Sequence, residues 1–220
     1  MAEPMFHSRL VDYLDSLVPE RDPIFLEMEA YAREVRFPII GAAAGYFNYL
    51  IARMLKVRSV FELGSGYGYS TAWFARAVVE NGGGVVHHVV WDEGLSEKAR
   101  GYLGRLGYQD TVRFHMGEAV EALRNTEGPF DLMFNDIDKA GYPASIPVIK
   151  AKLRPGGALL IDNMLWHGAI FDEADHTPDN QGVQEVTRML TRDPEFISSL
   201  VPIRDGVILA YYQPSTAPKT

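Results

Sequence analysis

The stretch Val60-Phe61-Glu62-Leu63-Gly64-Ser65-Gly66-Tyr67-Gly68-Tyr69-Ser70 decides how the rest of the chain is read. An apolar strand ends in an acidic residue, a glycine-rich turn follows, and Thr71-Ala72-Trp73-Phe74-Ala75 continues as a helix. Glycines at 64, 66 and 68 clear side chains from the turn, so a ligand can lie against the backbone. Amides of the first helical turn can donate to that ligand. Glu62 places a negative charge at the strand end, which repels a phosphate and suits an ammonium group or ribose hydroxyls. The dinucleotide-binding spacing G-x-G-x-x-G would need glycine at 69, where Tyr69 stands. A tight strand-to-helix turn alone also explains these glycines, so the loop needs support from elsewhere.

Before this strand, helices are expected. Leu10, Val11, Leu14 and Leu17 recur at helical spacing, Pro19 and Pro23 break the pattern, and a second helix runs from Ile24 to Arg36. A third, rich in small residues, covers 41–55. After it, strands and helices alternate. Strands are predicted at Val85–Trp91, Thr111–Met116, Phe130–Asn135 and Gly157–Ile161, the last introduced by Arg154-Pro155-Gly156. Helices are predicted over about 95–106, 118–123 and 143–153. Phe196–Val201 and Gly206–Tyr212 read as an antiparallel pair. This alternation predicts an α/β fold: a doubly wound, mostly parallel seven-stranded sheet with helices on both faces and a C-terminal antiparallel strand. Ligands of such sheets bind outside the carboxyl ends of the strands.

The sequence of 220 residues is read as one domain over 1–212, with N-terminal helices over 1–56, a core over 57–212 and a disordered tail over 213–220. Its 47% apolar content is ordinary for a globular protein, and no apolar run is long enough for a membrane span. The start lacks signal-peptide character and there are no cysteines, which together predict a cytoplasmic protein without disulfides or thiolate metal sites. Twenty-nine acidic against 21 basic side chains give a net charge of −8, which argues against broad nucleic-acid binding. Arg33, Arg36, Arg53, Lys56 and Arg58 form a local basic cluster, for which solvated helix faces are the commoner explanation.

Two strand ends supply the support the glycine loop needs. One continues as Asn135-Asp136-Ile137-Asp138-Lys139, the other as Asp162-Asn163. Parallel neighbouring strands would bring them together, so that Asp136, Asp162 and Asn163 offer hard oxygen ligands suited to Mg²⁺, Ca²⁺ or Mn²⁺. Three protein ligands leave positions for a substrate with two adjacent oxygens. Each residue also has a structural explanation: an Asp capping a helix, an Asn in a turn, a surface lysine paired with Asp136 or Asp138. Taken jointly with the glycine loop, those explanations become the poorer account.

Three segments now resemble one family. Phe61 to Ser70, Asn135-Asp136-Ile137-Asp138-Lys139-Ala140-Gly141-Tyr142, and Leu160-Ile161-Asp162-Asn163-Met164-Leu165-Trp166-His167-Gly168 are similar to the cation-dependent O-methyltransferases, the group of catechol and caffeoyl-CoA O-methyltransferases and their small bacterial relatives. The resemblance runs from about residue 24 to 212 and implies a Rossmann-like methyltransferase fold with S-adenosylmethionine as cofactor. It implies Asp136, Asp162 and Asn163 as ligands of a divalent cation, Mg²⁺ first among them, and Lys139 as the catalytic base. Glu62 and Gly64 match contacts to the methionine part of the cofactor, Ser70 a contact at the helix start, and Ile40 a backbone contact. Ala119 matches the residue beside the adenine, Asp138 a further cofactor contact, and His167 a substrate contact. One position departs from the family: the acid that binds the ribose hydroxyls is replaced by Val90, and Asp92, two residues on, is the candidate to take that role.

The expected reaction is methyl transfer to one hydroxyl of a catechol-like small molecule, with Lys139 accepting the proton. A homodimer is expected. The rival readings are a transfer-RNA hydroxyuridine O-methyltransferase using the basic cluster, a non-catalytic cofactor-binding module, and a serine hydrolase. The last requires Ser70 on a sharp turn directly after a strand, whereas it falls at a predicted helix start.

Overall fold

Val60 and Phe61 are adjacent in sequence and belong to different cores. Successive side chains of a strand point to opposite faces, so a strand apolar on both must be covered on both. The computed structural model describes residues 9–214, and this rule organises all of it. Three helices come first: α1 (Leu10–Ser16), α2 (Pro23–Val35) and α3 (Gly41–Met54). Then follow β1 (Ser59–Leu63), α4 (Tyr69–Glu80), β2 (Val85–Val90), α5 (Glu93–Arg105), β3 (Val112–Met116), α6 (Ala119–Asn125) and β4 (Phe130–Asn135). A 3₁₀ turn at Lys139–Gly141 leads to α7 (Tyr142–Lys152), β5 (Leu153–Ile161), a second 3₁₀ segment at Trp166–Phe171, α8 (Pro178–Arg192), β6 (Phe196–Val201) and β7 (Val207–Tyr212).

The seven strands lie in the order β3-β2-β1-β4-β5-β7-β6. Pairing is parallel from β3 to β5, while β7 runs antiparallel to both β5 and β6. Strand order reverses direction between β1 and β4, the place where doubly wound sheets open a ligand crevice. Val60, Val86, Leu132 and Leu160 face α2 to α5. Phe61, Val89, Met133 and Leu159 face α6 to α8. On the first face α4 is buried along nearly its whole length, and Trp73 is fully enclosed. Its indole lies so close to α3 that a Cβ on Gly45 would come within 2.2 Å of Nε1.

Two elements differ from the sequence reading. β5 begins at Leu153, and Arg154-Pro155-Gly156 is extruded from it: β4 advances from Phe130 to Leu132 while its partner advances from Leu153 to Ala158. Gly157 permits this because a Cβ there would meet the Asp131 carbonyl at 2.8 Å. The sequence reading marks no helix between His167 and Phe196, where α8 stands. Thr177 caps it through Oγ1 to the Asn180 amide, Pro178 occupies its first turn, and Val183, Val186 and Leu190 are its buried stripe. Of the expected tail, Gln213 still bonds to the sheet edge through its amide to the Glu195 carbonyl. Residues 215–220 lie outside the described residues, as do 1–8. No helix among the described residues is long and apolar enough to cross a membrane.

Candidate active site

The ends of β1, β4 and β5 open into a cavity of about 650 Å³. Gly64, Gly66 and Gly68 all have positive φ, and at Gly64 the requirement is double. Its φ is +83°, and an added Cβ would lie 2.5 Å from the Asp136 carbonyl oxygen. Only glycine lets the turn after β1 touch the loop after β4. Ser65 ties the turn to β2, its amide donating to the Val89 carbonyl and its Oγ accepting from the Val89 amide, both at 2.9 Å.

Of the residues singled out above, Ile40, Gly64, Ser70, Ala119, Asp136, Asp138, Lys139, Asp162, Asn163 and His167 all line this one cavity. They arrive from five different segments of the chain, so proximity in sequence does not account for the gathering. Glu62 and Asp92 are not on its wall. The Glu62 side chain points beneath the turn into the face covered by α4, fully buried, and accepts a short hydrogen bond from Thr71 Oγ1. Its other oxygen has no partner. Burial pushes this carboxyl up to about 7, with the nearby Ser70, Thr71 and Ser65 hydroxyls acting in the opposite sense. His88 completes the cluster, its Nδ1 lying 2.9 Å from Thr71 Oγ1. It is the core-facing member of the His87-His88 pair, and burial brings it down to about 3. Asp92 caps α5, its Oδ1 accepting from the Leu95 amide at 2.8 Å. Val90 and the exposed Trp91 stand on the cavity wall instead.

Beside the glycine turn the cavity holds two carboxylates. Asp162 is 1% exposed and its Oδ1 is buried without a hydrogen-bond partner. Burial first, and the neighbouring charge of Asp136 second, push it up to about 7. Asp136 is raised too, by burial, with Lys139 acting in the opposite sense. Each carboxylate is paired with one cation of the chain: Lys139 Nζ donates to Asp136 Oδ1 at 2.7 Å, and Arg204 Nη1 lies 3.6 Å from Asp162 Oδ2. Asn163, in a left-handed conformation at φ 58°, donates its Nδ2 to Asp205 Oδ2 at 3.0 Å, which aims its amide oxygen away from that bond. Among the described residues no group of three His, Cys, Asp or Glu side chains is placed to hold a metal ion. The expected set consists of two carboxylates and an amide.

Several contributors lie outside the sequence reading of the site. Tyr142 donates from its hydroxyl to the Asp162 carbonyl at 2.9 Å and holds the end of β5. Asp205, buried in the β6–β7 turn, accepts from the His167 amide at 2.7 Å and braces the loop that follows Asp162 and Asn163. Asp179 on α8 accepts from the Ala140 amide and so fixes the Lys139 turn. Arg204 and Asp205 belong to a turn far along the sequence, and only the return of β7 beside β5 brings them here. The expected basic cluster divides between the two ends of α3. Arg33 and Arg36 precede the cavity-lining Phe37, whereas Arg53 pairs with Glu80 and Arg58 bonds to the Gly82 and Gly83 carbonyls at the far end of the sheet. Ser70 sits in the first turn of α4 and not on a strand-end elbow.

A glycine turn at the switch point of a doubly wound sheet, opening beside two buried carboxylates and a lysine, defines a group-transfer enzyme with a nucleoside-type donor pocket. Residues 25–212 match the model of the O-methyltransferase family, and the chain belongs to that family. It is 29% identical over 209 residues to a catechol O-methyltransferase of Niastella koreensis, covering 90% of this chain and 94% of that one. It is 31% identical over 185 residues to a catechol O-methyltransferase of Mycobacterium tuberculosis, covering 83% of each. Among solved structures it resembles the O-methyltransferase TomG of Streptomyces achromogenes, involved in tomaymycin synthesis and bound to S-adenosylmethionine. That likeness has a TM-score of 0.85 and 26% identity, covering 97% of this chain and all of that one. An O-methyltransferase of Bacillus cereus in complex with S-adenosylhomocysteine gives 0.84 and 25%, covering 93% and 97%.

Proposed function

We propose that this O-methyltransferase transfers the methyl group of S-adenosylmethionine to one hydroxyl of a vicinal dihydroxy aromatic small molecule, with a divalent cation held by Asp136, Asp162 and Asn163. The observation that carries the proposal is the buried, partnerless Oδ1 of Asp162 beside Asp136. Two neighbouring carboxylates with raised proton affinity are costly to ionise together, and a hard cation relieves that cost better than any group now present. The donor set also fits such a cation. When bound, it would orient both acceptor oxygens and favour loss of a proton from one of them.

The chain's own residues would do the rest. Ile40, Gly64, Ser70 and Ala119, which line the cavity, would hold the donor, and Asp138, also on its wall, would add a further contact to it. Glu62, behind Ser65 and Ser70, supports these residues through the Thr71–His88 cluster. Lys139 would give up its hold on Asp136, release a proton to solvent, and as the neutral amine accept the acceptor's hydroxyl proton at Nζ. That oxygen then attacks the donor methyl, breaking the methyl–sulfur bond as the oxygen–methyl bond forms. Alignment of acceptor oxygen, methyl and sulfur would supply much of the rate gain. Trp166 and His167 wall the acceptor side. Incubation with S-adenosylmethionine, Mg²⁺ and a panel of catechols, followed by mass spectrometry, tests this. Methylated product that disappears with a chelator is expected; no product from any catechol would overturn it.

A further inference from the structure

Arg204 stands in the β6–β7 turn with φ +52°. A left-handed backbone is unfavourable for a residue with a side chain, so this side chain is held at some expense. The stem rests against the start of α3, where a Cβ on Gly41 would lie 3.7 Å from its Cδ and Nε. The guanidinium enters the acceptor end of the cavity and is about one-third exposed (32%), while Asp162 beneath it is closed off. Its separation from Asp162, 3.6 Å, is an ion pair too long for a good hydrogen bond. That pair is the only polar contact of the guanidinium among the described residues, leaving its N–H donors facing the cavity. The neighbouring carboxylate, Asp205, is already used by Asn163 and the His167 amide.

We propose that Arg204 is the recognition group for a carboxylate on the acceptor, so that the preferred substrates are vicinal dihydroxy aromatics bearing an anionic substituent. This rests on the reading that Asp162 serves a divalent cation. Once that cation takes Asp162, the guanidinium loses its counter-charge and faces a like charge. Its anchored stem keeps it at the rim of the same cavity. A planar fork of donors there matches a carboxylate in bidentate fashion, which neither Lys139 nor the exposed His167 can offer. A neutral catechol would leave the guanidinium without a partner.

The test compares 3,4-dihydroxybenzoate with its methyl ester, which keeps the diol and the ring and removes the charge. Turnover is measured with S-adenosylmethionine and Mg²⁺. Equilibrium binding is measured by calorimetry on protein saturated with S-adenosylhomocysteine and Mg²⁺. The wild type should favour the acid by about tenfold to a hundredfold, in KM and in Kd more than in kcat, the range expected of a charged hydrogen-bonded pair. Arg204→Gln and Arg204→Gly should both bring the acid-to-ester ratio to within about twofold. The glycine variant suits the left-handed backbone, so a fault in folding cannot explain a loss in both. A wild type that treats acid and ester alike, or variants that weaken both by the same factor, would overturn the role of Arg204 while leaving the catechol reading intact. No methylation of acid, ester or catechol would overturn both.

Discussion

Replacing Glu62 with Gln should change the pH dependence of stability in a calculable way. The wild-type carboxyl is raised from 4.5 to about 7, chiefly by burial. A carboxyl raised on folding binds protons more tightly in the native state. Its contribution is therefore full below the unfolded value near 4.5 and is lost as pH rises towards 7. At about 1.4 kcal/mol per unit, the change between pH 5 and pH 8 is roughly 2–3 kcal/mol. The amide of the Glu62→Gln variant cannot ionise, so that protein escapes this loss. Its amide nitrogen would occupy the position of the partnerless Oε1 and remain unsatisfied, which adds a constant offset of about 1–3 kcal/mol. The offset does not vary with pH, so the gap between the two proteins carries the signal. His87 and His88, brought down to about 4 and about 3, contribute the opposite slope below their ordinary value of 6.5, equally in both proteins. Urea unfolding at half-unit steps from pH 5 to pH 8 measures the gap. It should move in favour of the variant by roughly 2–3 kcal/mol, or on the order of 5–10 °C in Tm for a chain of this size. A gap constant to within about 0.5 kcal/mol would refute the claim that Glu62 is a buried carboxyl with raised proton affinity.

Asp162→Asn should abolish Mg²⁺ binding by calorimetry and lower turnover at least about a hundredfold, while S-adenosylhomocysteine affinity stays within about threefold; undiminished turnover in a chelator would remove the metal assignment. Gly182→Ala puts a Cβ 2.2 Å from the Lys139 carbonyl oxygen, so it should cost about 1–3 kcal/mol in unfolding free energy and reduce kcat with little change in donor KM. His167→Ala should alter the ratio of meta to para products more than donor affinity, because its ring is exposed on the cavity wall while its amide and Nδ1 both lie against Asp205; unchanged ratios across several catechols would make it a surface residue.

The mostly parallel sheet and the meeting of two acidic strand ends beside a glycine turn were legible because local signals and periodicity agreed. Gly64 to Gly68 needed a turn, and Asp136 and Asp162 each ended an apolar strand, so the parallel sheet carried them together. Less was legible where long-range packing decides. α8 is polar over much of its length, and its Thr177-Pro178 start and Val183, Val186, Leu190 stripe were outweighed by the loop-like composition before it. Extrusion of Arg154-Pro155-Gly156 depends on the register with β4, which no local pattern records. Glu62 reads as a strand-end acid in sequence, yet the alternation that points it away from the cavity follows only once α4 is seen to cover that face. Arg204 and Asp205 carry no motif of their own, and the antiparallel return of β7 alone gives them their place.

That return has a consequence for how the enzyme can change. The donor side is locked by backbone touching backbone at Gly64 and Asp136, so little there can vary independently. The opposite wall is finished by a turn of a few residues between β6 and β7, joined to the loop after β5 through the Asp205 and Gly206 carbonyls and to the buried carboxylate through Arg204. If Arg204 recognises the acceptor as proposed, exchanging residues 202–204 while keeping Asp205 and Gly206 would change acceptor choice more than donor binding. A library confined to those three positions is thus the economical starting point for retargeting the catalyst.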